Sequence, residues 1–133
     1  MKTLLKKKVK VTVEKTDTGF SAFAVDYPVF TTGKTFSELS ENIVEALNLY
    51  FEDDGQKVNS KNIHFEIDLR QFFQHYRVIN AKFLAERIGM NATLLSQYVQ
   101  GRKKPSVAQT EKILSGINQI GKELSELSLV TKD

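Results

Sequence analysis

The chain has 133 residues, no cysteine and a net charge of +3, with 41% hydrophobic and 26% charged residues. The missing cysteines exclude disulfides and thiolate metal sites, and no run approaches the roughly 20 apolar residues that a membrane helix needs. What remains is a globular chain forming one domain or two small ones. Charge is unevenly spread, with 9 basic and 11 acidic side chains in residues 1–68 against 10 and 5 in 69–133.

Lys2 and Lys6 to Lys8 look like the basic start of a signal peptide. Val9 to Val13, however, alternates with Lys10 and Thr12 and supplies no apolar core for one, so a cytoplasmic location is expected. Beyond this lysine-rich start, residues 11–68 hold 4 basic and 11 acidic groups. Such a surface repels DNA and suits a basic partner.

Val9, Val11 and Val13 have the period of a strand with one wet face. A turn at Thr16 to Gly19 leads to a second strand over Phe20 to Asp26, making a hairpin. Pro28 interrupts the ladder, and a short third strand at Val29 to Thr32 completes a meander. Thr35 followed by Glu38 is a capping box that opens a helix from Phe36 to about Phe51. Its expected buried stripe is Phe36, Leu39, Ile43, Ala46, Leu47 and Tyr50. Glu52, Asp53 and Asp54 follow, at the negative end of the helix dipole. They are either solvated or kept for a cationic partner. Ile63, Phe65 and Ile67 alternate as a fourth strand. One helix covers only one face of the sheet, so the other should meet water, a second subunit or a partner.

In the second half, Asp68 caps a helix whose stripe, Leu69, Phe72, Phe73 and Tyr76, is expected to pack beneath the pair of helices that follows. Asn80 caps a short helix over Ala81 to Ile88, Gly89 takes a tight turn, and a second helix runs from about Asn91 to Gln100 before Gly101 and Pro105 stop it. Leu94, Leu95 and Tyr98 form the apolar face of that second helix, leaving Ala92, Thr93, Ser96 and Gln97 to point elsewhere. From Arg70 to Pro105 seven basic residues stand against the single acid Glu86. Arg102, Lys103 and Lys104 come directly after the second helix, where phosphates would pass. Ser106 starts a last helix, either continuous or split at Gly116 or Gly121. Its part from Ile117 onward is either a dimer surface or a further core helix.

The segment FLAERIGMNATLLSQYVQGRKKPS resembles the helix-turn-helix of the phage repressor and Cro superfamily, through Leu84-Ala85, Gly89, Ser96 and Gly101-Arg102-Lys103 with Pro105. The resemblance implies double-stranded DNA as a partner. It turns Ala92, Thr93, Ser96 and Gln97 towards base edges and makes Asn91, Arg102, Lys103 and Lys104 phosphate contacts. Ala81 stands where this family often has glutamine. Gln97 can pair with adenine and the Thr93 methyl can touch thymine, while no arginine on this face reads guanine, so A·T-leaning sites are expected.

The earlier segment TTGKT-FSELSENIVEALNLYFEDDG resembles the N-terminal domain of HicB-family antitoxins through Thr31 or Thr32, Gly33, Thr35, Glu38, Asn42, Glu45-Ala46 and Leu49. It departs in having only Pro28 where the family often has Pro-x-x-Pro-Gly. The expected fold is therefore α+β. A HicB-like domain over 1–67, a truncated ribonuclease-H-like unit with a small antiparallel sheet and one helix, precedes an all-α helix-turn-helix domain over 68–133. The resemblance implies an antitoxin that sequesters a small basic HicA-like ribonuclease toxin and represses its own promoter as a homodimer or higher oligomer. No cofactor or metal is expected, and no catalysis. Glu52, Asp53 and Asp54, with the uncovered sheet face, are the toxin contacts suggested by charge. The alternative is a free-standing repressor whose first domain senses a ligand or dimerises. A residual nuclease ranks third.

Two motifs lead elsewhere and fail on their own chemistry. Gly33-Lys34-Thr35 ends like a phosphate-binding loop but has Pro28 where the loop's first glycine belongs. A metal-dependent nuclease needs converging carboxylates. Its candidates Asp17, Asp26, Glu66 and Asp68 read as surface groups, and His64 and His75 have no ligand spacing about them.

Overall fold

The computed structural model describes residues 2–129 and forms two compact units, 1–75 and 76–133. Met1 and 130–133, the ends of the two expected domains, lie outside the described residues.

In the first unit, Val9–Thr16 (β2) and Gly19–Ala24 (β3) pair as an antiparallel hairpin, and Phe30–Gly33 (β4) adds antiparallel to β3. Lys15 closes the tight turn, its ammonium donating to the carbonyls of Thr16 at 2.7 Å and Gly19 at 3.0 Å. After the helix Phe36–Phe51 (α1), the strand Ile63–Ile67 (β6) returns beside β2 and runs parallel to it, giving the order β4-β3-β2-β6. The sheet is thus mixed, not antiparallel as expected. A helix-length crossover from β4 brings the chain back to the same end of the sheet, and the alternation of Ile63, Phe65 and Ile67 is the same in either direction. The sequence reading also missed a second, two-stranded parallel pairing of Thr3–Leu4 (β1) with Gln56–Lys57 (β5).

The core lies between the sheet and α1. Val9, Val11, Val13, Ala22 and Ala24 meet Leu39, Ile43 and Leu47, all buried. The stripe of α1 continues four residues on to Phe51, which packs edge-on against Tyr27 at 4.9 Å. Phe36 and Tyr50, expected inside, are exposed at its margins, Phe36 stacking edge-on with Phe20 and Phe65.

The residues that carry the antitoxin resemblance hold this scaffold together. Thr35 Oγ1 accepts from the Glu38 amide at 3.1 Å, the first half of the expected capping box. Asn42 Nδ2 donates to the Thr32 carbonyl at 2.8 Å, tying α1 to β4. Gly33 lies so close to the helix that a Cβ there would come within 2.5 Å of the Leu39 amide nitrogen. Only glycine lets strand and helix approach this far.

The helix Leu69–His75 (α2) belongs to the first unit, although the expected boundary at 67/68 assigns it to the second. Gln71 accounts for this. Its Oε1 accepts from the Lys15 amide at 2.8 Å, and its Nε2 donates to the Lys15 carbonyl at 2.5 Å, extending the β2 ladder onto a side chain. Asp68 Oδ1 caps α2 by accepting from the Gln71 amide at 3.1 Å.

The second unit contains the helices Ala81–Ile88 (α3), Ala92–Val99 (α4) and Val107–Ser125 (α5). The last is continuous through Gly116 and Gly121. No described helix is long and apolar enough to cross a membrane.

Candidate nucleic-acid interface

Helices α3 and α4 are each placed by the same pair of local devices. Asn80 Oδ1 accepts from the Phe83 amide at 3.2 Å and Asn91 Oδ1 from the Leu94 amide at 3.0 Å, so each helix begins on an asparagine cap. Each ends in a left-handed glycine, Gly89 with φ 70° and Gly101 with φ 75°. At the first end the Met90 amide donates back to the Ala85 carbonyl at 2.9 Å. At the second, the Arg102 amide donates to the Gln97 carbonyl at 2.9 Å and the Gly101 amide to that of Tyr98 at 3.1 Å. These are Schellman closures. The first tucks Met90 inside and turns the chain in three residues, Gly89-Met90-Asn91, into α4.

The second closure fixes the basic run. The amides of Arg102 and Lys103 both donate to the Gln97 carbonyl, the latter at 3.3 Å, so the backbone that carries these cations is bound to the last turn of α4. Their charge also lies at the negative end of the helix dipole. Arg102, Lys103 and Lys104 are exposed.

Leu95 and Tyr98 anchor α4 inside the unit, with Leu94 half-buried. The opposite face carries the expected contacts. Asn91, Ala92 and Thr93 are exposed at its start, and Ser96 and Gln97 are half-buried one turn on. All eight candidate residues therefore fall on α4 and the segment that caps it. Asn91 spends its carbonyl oxygen on the cap, leaving donation from Nδ2 as the way it could hold a phosphate.

Two residues escaped the sequence reading. Gln100 Nε2 donates to Ser96 Oγ at 3.3 Å and is exposed, extending the polar face of α4 by a turn. Its i+4 spacing from Ser96 was the available signal. Lys112 Nζ reaches the Gly89 carbonyl at 3.5 Å, setting a cation from α5 at the negative end of α3. No local pattern announces a contact across 23 positions. Helix α5 also braces α3 through the Arg87–Glu123 ion pair.

No family model and no curated protein matches the chain.

The acidic candidates of the first unit lie in a 3-10 turn, Glu52–Asp54, closed by Gly55. All three are exposed, and Glu52 is 3.9 Å from Lys2. On the sheet face turned away from α1, Phe23 and Phe30 sit directly opposite each other and are exposed. The carboxylates weighed for a nuclease have other engagements: Asp17 is 3.9 Å from His75, Glu66 is 3.4 Å from His64, and Asp68 caps α2. Among the described residues no three His, Cys, Asp or Glu side chains gather as a metal site would need.

Proposed function

We propose that the chain is an antitoxin of the HicB kind that represses its own promoter. The second unit acts as a helix-turn-helix reader. The exposed start of α4 enters the major groove of double-stranded DNA, with Ala92, Thr93, Ser96 and Gln97 towards base edges and Asn91, Arg102, Lys103 and Lys104 on phosphates. One observation carries this reading: the Schellman closure on Gln97 binds a triple-cation run to the end of the helix whose other exposed residues are small and polar. Helix and cations then approach a duplex together.

The first unit is read as the truncated ribonuclease-H-like domain. Support comes from the antiparallel meander, the single covering helix and the fourth strand returning beside the first of the meander, together with the structural roles of Gly33, Thr35 and Asn42. Its acidic surface, with Glu52 to Asp54 at the end of α1, suits a small basic ribonuclease, which the antitoxin would neutralise by covering it. The role calls for no catalysis and no cofactor.

The test is co-expression with the adjacent short basic reading frame. Growth arrested by that frame should be rescued by this chain, the two should elute together, and the pair should occupy the shared promoter. If no such frame is toxic while the chain alone occupies its promoter, the antitoxin role is wrong and a free-standing repressor stands in its place.

A further inference from the structure

The second unit carries an apolar groove of about 590 Å³ between the start of α3 and the C-terminal half of α5, walled chiefly by Tyr76, Ile79, Phe83, Ile117, Ile120 and Leu124. A single copy of the chain does not fill it. Around it stand the most exposed apolar side chains of the unit: Val78 is 91% exposed, Phe83 62%, Leu124 60% and Leu127 75%. Contiguous apolar surface of this kind marks an interaction site. We propose that a second copy of this chain docks here, groove against groove, about a two-fold axis.

Three observations favour a second copy over another occupant. A two-fold contact uses one patch twice, so the patch must supply both hollows and projections. This one does, with Leu124 and Leu127 projecting beside a hollow lined by Ile79, Ile117 and Ile120. Its rims are also of opposite sign. Exposed Arg77 and Lys82 lie on the α3 side, whereas Glu123 and Glu126 lie on the α5 side. A two-fold pairing sets the acidic rim of one copy against the basic rim of the other, whereas a strongly acidic or basic partner would meet one rim of its own sign. Finally, Arg87 and Glu123 already neutralise each other across the groove, so docking an apolar surface there strands no lone charge. Such a dimer supplies the second half-site reader that DNA binding calls for and so rests in part on that reading, but it forms without DNA.

Sedimentation velocity of the full chain, free of DNA, tests it. The chain should sediment as two copies at micromolar concentration. Leu124→Lys with Leu127→Lys on one rim, and separately Phe83→Lys on the other, should each weaken self-association at least about tenfold while the thermal midpoint of the dilute chain is kept. Val107→Lys alters an equally exposed apolar side chain at the far end of α5 and should leave the dimer intact. A wild-type chain that stays single, rim variants that pair as tightly as the wild type, or a Val107→Lys variant that dissociates as readily would each overturn the proposal. So would a single-copy chain that acquires fixed stoichiometry only with a different protein. A dimer that binds no DNA would refute the promoter reading and leave this surface standing.

Discussion

Gly116 of α5 presses against Ile88 of α3: a Cβ on the glycine would lie 2.3 Å from Ile88 Cγ2 and 3.6 Å from Leu84 Cδ1. The side chain it would strike is β-branched and stiff in a helix, so relief requires the two helices to part. Glycine costs about 1 kcal/mol of helix propensity relative to alanine, and here that cost permits the contact that seats α3 under α5.

Gly116→Ala should therefore destabilise the second unit, by about 1–3 kcal/mol as over-packing does, despite its better propensity. Gly121 is the contrast, since a methyl added there would meet no atom within 4 Å. Gly121→Ala should stabilise α5 by a few tenths to about 1 kcal/mol. Urea denaturation of both variants checks the opposite signs.

A backbone obstacle stands in the first unit. Gly33→Ala places its methyl against the amide nitrogen and Cα of Leu39, neither of which can rotate away. A loss of about 3 kcal/mol is expected, at the upper end of the range for over-packing. Gly55 has a left-handed φ of 67° and open space, so Gly55→Ala should cost only the conformational penalty of about 1–2 kcal/mol. Thermal melts of the two variants should fall in that order.

The double hydrogen bond from Gln71 to the Lys15 backbone predicts a residue-specific effect. Gln71→Ala should cost about 1–3 kcal/mol by leaving a part-buried amide and carbonyl without their partner. Amide hydrogen exchange should accelerate at Lys15 more than at Val11, deep in the same strand.

How far the sequence revealed these features depended on how local each was. Asn80, Gly89, Asn91 and Gly101 act on neighbours within four residues, so both short helices and the turn between them were legible to within a residue. The cap at Thr35 and the ends of α1 were equally plain. Pairing direction was not, because Ile63, Phe65 and Ile67 alternate alike in parallel and antiparallel ladders. The stripe of α2 fits any apolar surface, and only the reach of Gln71 to Lys15, 56 positions away, decides where it sits. β1 and β5 are two residues each, too short for a period to show. At the interface, the exposed start of α4 and the basic run were readable, whereas the support of the Gly89 turn by Lys112 came from a different helix.

The central claim is that α4 reads bases while the segment after it holds phosphates, and a salt-titrated binding measurement on the full chain tests this division. The duplexes are its own promoter fragment and a scrambled one of equal length. Lys103→Ala should weaken both alike and lower the magnitude of the salt slope by about 1. Gln97→Ala should cost about 1–3 kcal/mol on the promoter fragment alone. Equal losses from the two variants on both duplexes, or a wild-type chain that does not prefer its promoter, would contradict the account.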